Sequence, residues 1–187
     1  LYMNNGGHSF TNSADAAGVA NSAWGWGTVA IDADHDGVLD LAATTQSGRQ
    51  WFFRGTGVVA GIPRFVDRTN PRGFVTEVSG RGLANADFDN DGDQDLVIFP
   101  RNGPLTVFRN ELDASESETN WLRVLLDNGG SETITPNGIG AVVSITIDGS
   151  TRIARIDGGS NYLSQSELSA HFGLGNESII DELRVDW

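Results

Sequence analysis

The chain has 187 residues, 39% of them hydrophobic, with 24 glycines, no cysteine and a formal net charge of −13 from 12 basic and 25 acidic side chains. So acidic a balance argues against nucleic acid, whose phosphates demand a basic face, and the missing cysteines exclude disulfides and thiolate metal sites. No stretch approaches the roughly 20 consecutive apolar residues of a membrane helix, while the apolar content suffices for a real core.

In chain order, residues 1–5 (LYMNN) read as a strand closing a preceding unit, similar to residues 107–110 (VFRN). With no initiator Met or leader, the chain reads as a mature or excised fragment that begins partway through a longer array. Residues 28–31 (TVAI) predict a strand leading into an aspartate-rich loop, and residues 38–43 a strand leading out. The pattern recurs further on: a second loop, an outgoing strand at 96–99, then a strand at 105–108 that pairs back after the Asn102-Gly103-Pro104 turn. Residues 112–119, rich in Ser and Glu, read as a linker. Beyond it, alternating segments at 121–126, 141–147, 151–156 and 180–187, separated by turns at 127–130 and 148–149, predict a small antiparallel sandwich or barrel.

Shifted by 55 positions, the first half lies over itself. Gly25 and Gly27 fall on Gly80 and Gly82, Asp40-Leu41 on Asp95-Leu96, Phe53-Arg54 on Phe108-Arg109, Phe10 on Phe65 and Gly18 on Gly73. A fixed period of this kind marks units that stack or ring together. The expected fold is all-β: two propeller-type antiparallel blade repeats over residues 1–111, a linker over 112–119, and a small sandwich- or barrel-like β domain over 120–187.

The two loops, residues 32–40 (DADHDGVLD) and 87–95 (DFDNDGDQD), hold nine of the 25 acidic residues. Carboxylates at positions 1, 3, 5 and 9 of D-x-D-x-D-G-x-x-D point inward, position 7 offers its main-chain carbonyl, and the glycine at position 6 turns the chain back on itself. A hard cation with six to eight oxygen ligands suits such a cage, and four crowded carboxylates need one. Calcium is therefore predicted at two sites. Its ligands are Asp32, Asp34, Asp36, the Val38 carbonyl and Asp40, and then Asp87, Asp89, Asp91, the Asp93 carbonyl and Asp95. His35 and the Asp93 carboxylate are expected to face solvent. Position 12, Ala43 or Ile98, is not the glutamate an EF-hand needs, and the flanks are strands.

The loop spacing resembles the calcium loops of FG-GAP and VCBS propeller repeats. The second half resembles the ASPIC/UnbV domain through Asn120-Trp121-Leu122, Asn137-Gly138-Ile139-Gly140-Ala141, the run 158–165 (GGSNYLSQ), His171-Phe172-Gly173-Leu174-Gly175 and Val185-Asp186-Trp187. The combination is similar to CRTAC-like extracellular proteins, which implies secretion, calcium and an adhesive or structural role. Ser160 and His171 make no triad, and there is no nucleophile elbow; both motifs read as turns and packing.

The reading that follows is a non-enzymatic, extracellular, calcium-stabilised module for adhesion or assembly. Exposed strand edges are templates for self-association, including a homopolymeric fibre or surface assembly; an extracellular protein or glycan is the other partner class. Two alternatives stay open, a glycan-binding module using Trp24, Trp26 and Trp51 as a platform, and a fragment of a secreted polysaccharide-acting enzyme. Asn176-Glu177-Ser178 also fits a glycosylation sequon. Losing calcium is expected to loosen the first half and spare most of the second.

Overall fold

A computed structural model describes residues 1–112, 119–159 and 161–187. Most of the expected linker, residues 113–118, and Ser160 of the second motif lie outside the described residues. Among the described residues the fold is all-β with antiparallel pairing, and none of the sheets closes into a barrel.

The chain opens with a hairpin, β1 (Tyr2–Gly6) on β2 (Ser9–Asn12), so the first residues pair with their own neighbours. One turn of helix, α1 (Ala14–Ala17), follows. Strands β3 (Gly25–Ile31), β4 (Asp40–Thr45), β5 (Trp51–Val59) and β6 (Ile62–Asp67) form a four-stranded meander. A second meander, β7 (Gly80–Ala86), β8 (Asp95–Pro100) and β9 (Thr106–Phe108), has three strands. In β3 the side chains alternate, Val29 and Ile31 inward with Thr28 and Ala30 outward, as a half-buried strand requires.

The two meanders share a core of Val29, Ile31, Ala42, Phe52, Phe74, Leu83, Leu96 and Ile98. They meet closely because β3 carries Gly27, where any Cβ would lie 2.8 Å from the Arg81 carbonyl. Thr44 locks that approach, its hydroxyl donating to the Arg81 carbonyl (2.7 Å) and accepting from the Gly27 N–H (2.9 Å). Buried Gln50 ties the same sheets by donating to the Val78 carbonyl (2.7 Å) and accepting from Thr45 N–H (2.8 Å).

The second half has two sheets. Strands β10 (Asn120–Val124) and β13 (Ala170–Gly175) pair, and β11 (Val142–Ile147) lies between β12 (Ser150–Arg155) and β14 (Glu182–Asp186). Val143, Ile145 and Ile147 of β11 share a core with Ala170, Phe172 and Leu174 of β13. The 171–175 motif therefore packs into the core as expected, but as a strand and not as a turn. Its glycines hide the alternation, and one of them, Gly173, is there because the Asp32 carboxylate and the His35 backbone come too close for a side chain.

Between β12 and β13 the chain runs along the inner strands of the first half. Asn161 accepts from Thr28 N–H (2.8 Å), the Ser164 hydroxyl accepts from Leu83 N–H (3.1 Å), and Glu167 N–H donates to the Asn85 carbonyl (2.9 Å). Among the described residues no helix is long and apolar enough to cross a membrane.

Candidate metal centres

Each aspartate loop joins the first two strands of its meander, β3 to β4 and β7 to β8. The turn needs left-handed backbone at two positions: Gly37 and Gly92 (φ +82° and +100°), and the residue two before each, His35 and Asn90 (φ +57° and +62°).

Four hydrogen bonds recur in both loops, and the second adds one from Asp91 N–H to Asp89 (3.3 Å). The glycine N–H donates to the first aspartate, Gly37 to Asp32 (2.8 Å) and Gly92 to Asp87 (3.2 Å). The N–H at position 7 donates to the third, Val38 to Asp36 (2.8 Å) and Asp93 to Asp91 (3.0 Å). The last aspartate is stapled from both sides. Asp40 accepts from Ala33 (3.2 Å) and Gly55 (2.7 Å), and Asp95 from Phe88 (2.9 Å) and Asn110 (2.8 Å).

The folded loops draw Asp32, Asp34 and Asp36 into one cluster and Asp87, Asp89 and Asp95 into the other, with oxygens within 4.8 Å of one another. Asp40 stands at the head of β4 and Asp91 at the rim of its loop, each held by the bonds just given. Asp32 and Asp87 are buried, and each keeps one carboxylate oxygen, Oδ1, with no donor; Asp34 Oδ1 is a third such atom. A buried acceptor left unpaired costs about 1–3 kcal/mol and more when charged. Clustered oxygens with unmet lone pairs fit a hard divalent cation, which would be held by the ligand set named above.

The electrostatics of the first loop point the same way. Burial foremost, with the neighbouring carboxylates adding to it, pushes Asp32 up to about 7 and Asp40 up to about 6. In the second loop burial also raises Asp93 and Asp95. Arginines supply the compensating charge. Arg54 of β5 bridges Asp34 (2.6 Å) and Asp36 (2.9 Å), and Arg72 adds a contact to Asp34 (3.2 Å). Arg109 bridges Asp89 (2.5 Å) and Asp91 (3.5 Å) in the same way. Arg54-Gly55 and Arg109-Asn110 stand one period apart and serve as clamp and staple in their units. Sequence reading assigned them no function, although the repeated Phe-Arg at 53–54 and 108–109 was the signal.

Two expectations are corrected. His35 does not face solvent: it is 2% exposed, packed against His171 and Trp121 with ring centroids 5.2 and 6.4 Å away, and burial lowers its pKa. The Asp93 carboxylate is likewise buried, accepting from Leu112 N–H (2.6 Å) and lying 3.8 Å from His35 Nε2. Alternation within a nine-residue turn predicts which side chains avoid the ion, but not what packs on the far side. The three tryptophans of the alternative glycan platform divide. Trp24 is exposed and stacks on Trp26 (6.4 Å), which packs against Tyr162 (4.8 Å) under Arg81, whereas Trp51 stacks on Phe53 (5.5 Å) beneath Arg49. Asn176 of the sequon is exposed.

An acidic, antiparallel all-β chain with two such loops has one segment of defined family: residues 131–187 match the ASPIC and UnbV family. Further similarity extends into the loops' half of the chain. It is 33% identical over 174 residues to cartilage acidic protein 1 of Mus musculus, covering 85% of this chain and 25% of that protein. The Homo sapiens protein of the same name is 32% identical over the same length, covering 85% of this chain and 24% of its own. That of Xenopus tropicalis is 36% identical over 132 residues, 66% of this chain and 18% of its own. The chain thus spans a quarter or less of the length of these relatives.

Proposed function

We propose that this chain is a non-enzymatic, extracellular structural module built on two calcium ions, one in each aspartate loop, and that residues 1–111 are two FG-GAP/VCBS-like repeats of propeller type. The observation that carries this reading is the pair of loops 55 residues apart with the same internal hydrogen bonds and the same buried, unpaired Oδ1 on the first aspartate. A structural role accounts for that pairing, since each ion joins the first strand of its sheet to the second and so contributes folding energy.

Extracellular calcium is abundant enough to fill sites of ordinary affinity, and the relatives are named for cartilage and for acidity, which matches a net charge of −13 here. The carboxylates most available for acid–base chemistry are already committed to the two cages, which supports a non-enzymatic reading. Adhesion or fibre assembly is the working role. Exposed Leu105 and Val107 beside and on the short strand β9, with Val58 and Val59 at the end of β5, support strand-edge self-association.

The test is calorimetric titration of the 187-residue chain with calcium chloride, followed by light scattering with and without calcium. Two ions per chain are expected, with larger particles in calcium. A chain that takes up no calcium at millimolar concentration would sink the reading, and a strict monomer in both conditions would sink the assembly role alone.

A further inference from the structure

The end of the first half that carries both loops is covered by strands of the second half. At the first loop, a side chain at Gly173 of β13 would fall on Asp32 Oδ2 and on the backbone of His35. The Gly175 N–H donates to the His35 carbonyl (2.7 Å), and the Arg152 guanidinium from β12 lies over Gly37. At the second loop, the Trp121 indole from β10 covers Gly92, the equivalent glycine. His171 Nε2 is 3.0 Å from the Gly92 carbonyl. Arg123 donates to Asp87 (3.3 Å) and Asn90 (3.1 Å) while its charge is matched by Glu167.

This packing has a cost that depends on the ion. It buries Asp32 and Asp87, the first aspartates of the two cages, and each is left with an oxygen that meets neither water nor a donor. Without a cation, docking the second half therefore strips water from both carboxylates, and although Arg123 reaches Asp87 Oδ2 it returns nothing to either Oδ1. With a cation the same oxygens are ligated, and the cover shields a neutralised cage.

We infer that the two calcium loops are the docking surface for the second half, and that the ions hold it there: the fold contains a calcium-dependent intramolecular clamp. The inference rests on the calcium reading above and departs from the expectation that losing calcium would spare most of the second half. Because coupling is reciprocal, residues of β10 and β13 that ligate no ion raise calcium affinity by the factor with which calcium tightens docking.

Hydrogen–deuterium exchange of the whole chain, with and without calcium, reads the clamp directly at a temperature where circular dichroism shows the metal-free chain still folded. Amides of β13 are expected to exchange at least tenfold faster without calcium. Calorimetric titration of Gly173→Ala and Trp121→Phe then reads the reciprocal effect. Each variant should bind calcium at least fivefold more weakly at one site and within twofold of the parent at the other. Unchanged β13 exchange with two ions bound, or two folded variants that bind both ions like the parent, overturns the clamp and leaves the calcium reading standing. A parent chain that binds no calcium overturns both. Should Gly173→Ala fail to fold, parent exchange and Trp121→Phe decide; should the metal-free chain be unfolded at every temperature, the variant affinities decide.

Discussion

The two aspartate loops share a motif, a turn geometry and a set of internal hydrogen bonds, yet they are wired into the molecule differently. At position 4 the first loop has buried His35, packed on His171 and Trp121, where the second has exposed Asn90. At position 8 Leu39 is exposed, whereas Gln94 is buried and accepts from Asn85 (2.6 Å). The first aspartate differs in company as well: Asp87 is paired with Arg123, while Asp32 lies beneath side-chain-free Gly173. On the calcium reading, positions 1, 3, 5, 6, 7 and 9 serve the cage in both loops. Positions 4 and 8, and the far side of position 1, are where two copies of one motif acquire different neighbours.

The largest effect expected is removal of both ions. At free calcium 100-fold above the dissociation constant each ion adds about 2.7 kcal/mol, so two add about 5 kcal/mol. For a chain of this size that corresponds to a fall in Tm of roughly 10–20 °C in excess chelator. A thermal melt in calcium against EDTA measures it, and coincident curves would remove the basis for treating either loop as a metal site.

Single substitutions should separate the loops. In calcium, Asp32→Asn and Asp87→Asn each lose one ion, about half the total effect. In EDTA they should diverge in sign. Asp32→Asn removes a charge that burial opposes and raises Tm, whereas Asp87→Asn takes one of the two carboxylates from the Arg123 guanidinium, leaving Glu167 alone to match it, and lowers Tm. Melts of both variants under both conditions give four numbers. Two variants moving together in EDTA would mean that Arg123 does not distinguish the sites.

How much of this was legible beforehand follows the same division. The aspartate clusters, the period, and the strands at 28–31, 96–99 and, but for its first residue, 141–147 are local patterns, carried by spacing and alternation. The partners of His35 and of Asp93 come from segments distant in sequence, about which a nine-residue turn carries no information. Strand β13 escaped because Gly173 and Gly175 mimic turn chemistry, while the true reason for Gly173 is the closeness of Asp32. The roles of Arg54 and Arg109 were half visible: the repeat exposed the residues, but only folding shows them bridging positions 3 and 5 of their loops.

The pH dependence of the metal-free chain sharpens the contrast further. Burial pushes Asp32 up to about 7 and Asp40 up to about 6, above an ordinary carboxylate. Folding therefore favours their protonated forms, and the stability they contribute is full at low pH and lost as pH rises through those values. His171, which burial holds down to about 4, acts oppositely, and its contribution is lost only as pH falls below its ordinary 6.5. Between pH of about 6.5 and 8 the carboxylates dominate. In EDTA, Tm should rise as pH is lowered across that window, and Asp32→Asn should flatten the rise. In calcium the slope should reverse, because the ion must displace the protons. A metal-free Tm that falls toward pH 6.5 would contradict the burial assigned to the first loop.

The smallest effect expected is at the arginine clamps, and it tests whether they stand in for the ion. Arg54 and Arg109 each bridge the carboxylates at positions 3 and 5, and both side chains are a third or more exposed. Exposed ion pairs are worth little, so Arg54→Ala should cost no more than about 1 kcal/mol in calcium. Without the ion, the guanidinium is the main positive charge facing the repelling aspartates, and its removal should cost more. The chelated chain should thus be the more sensitive background, and Arg54→Ala should exceed Arg109→Ala there because Asp34 is the more enclosed of the bridged carboxylates. Equal sensitivity with and without calcium would make the arginines ordinary surface partners. A larger loss in calcium would assign them to organising the cage around the ion.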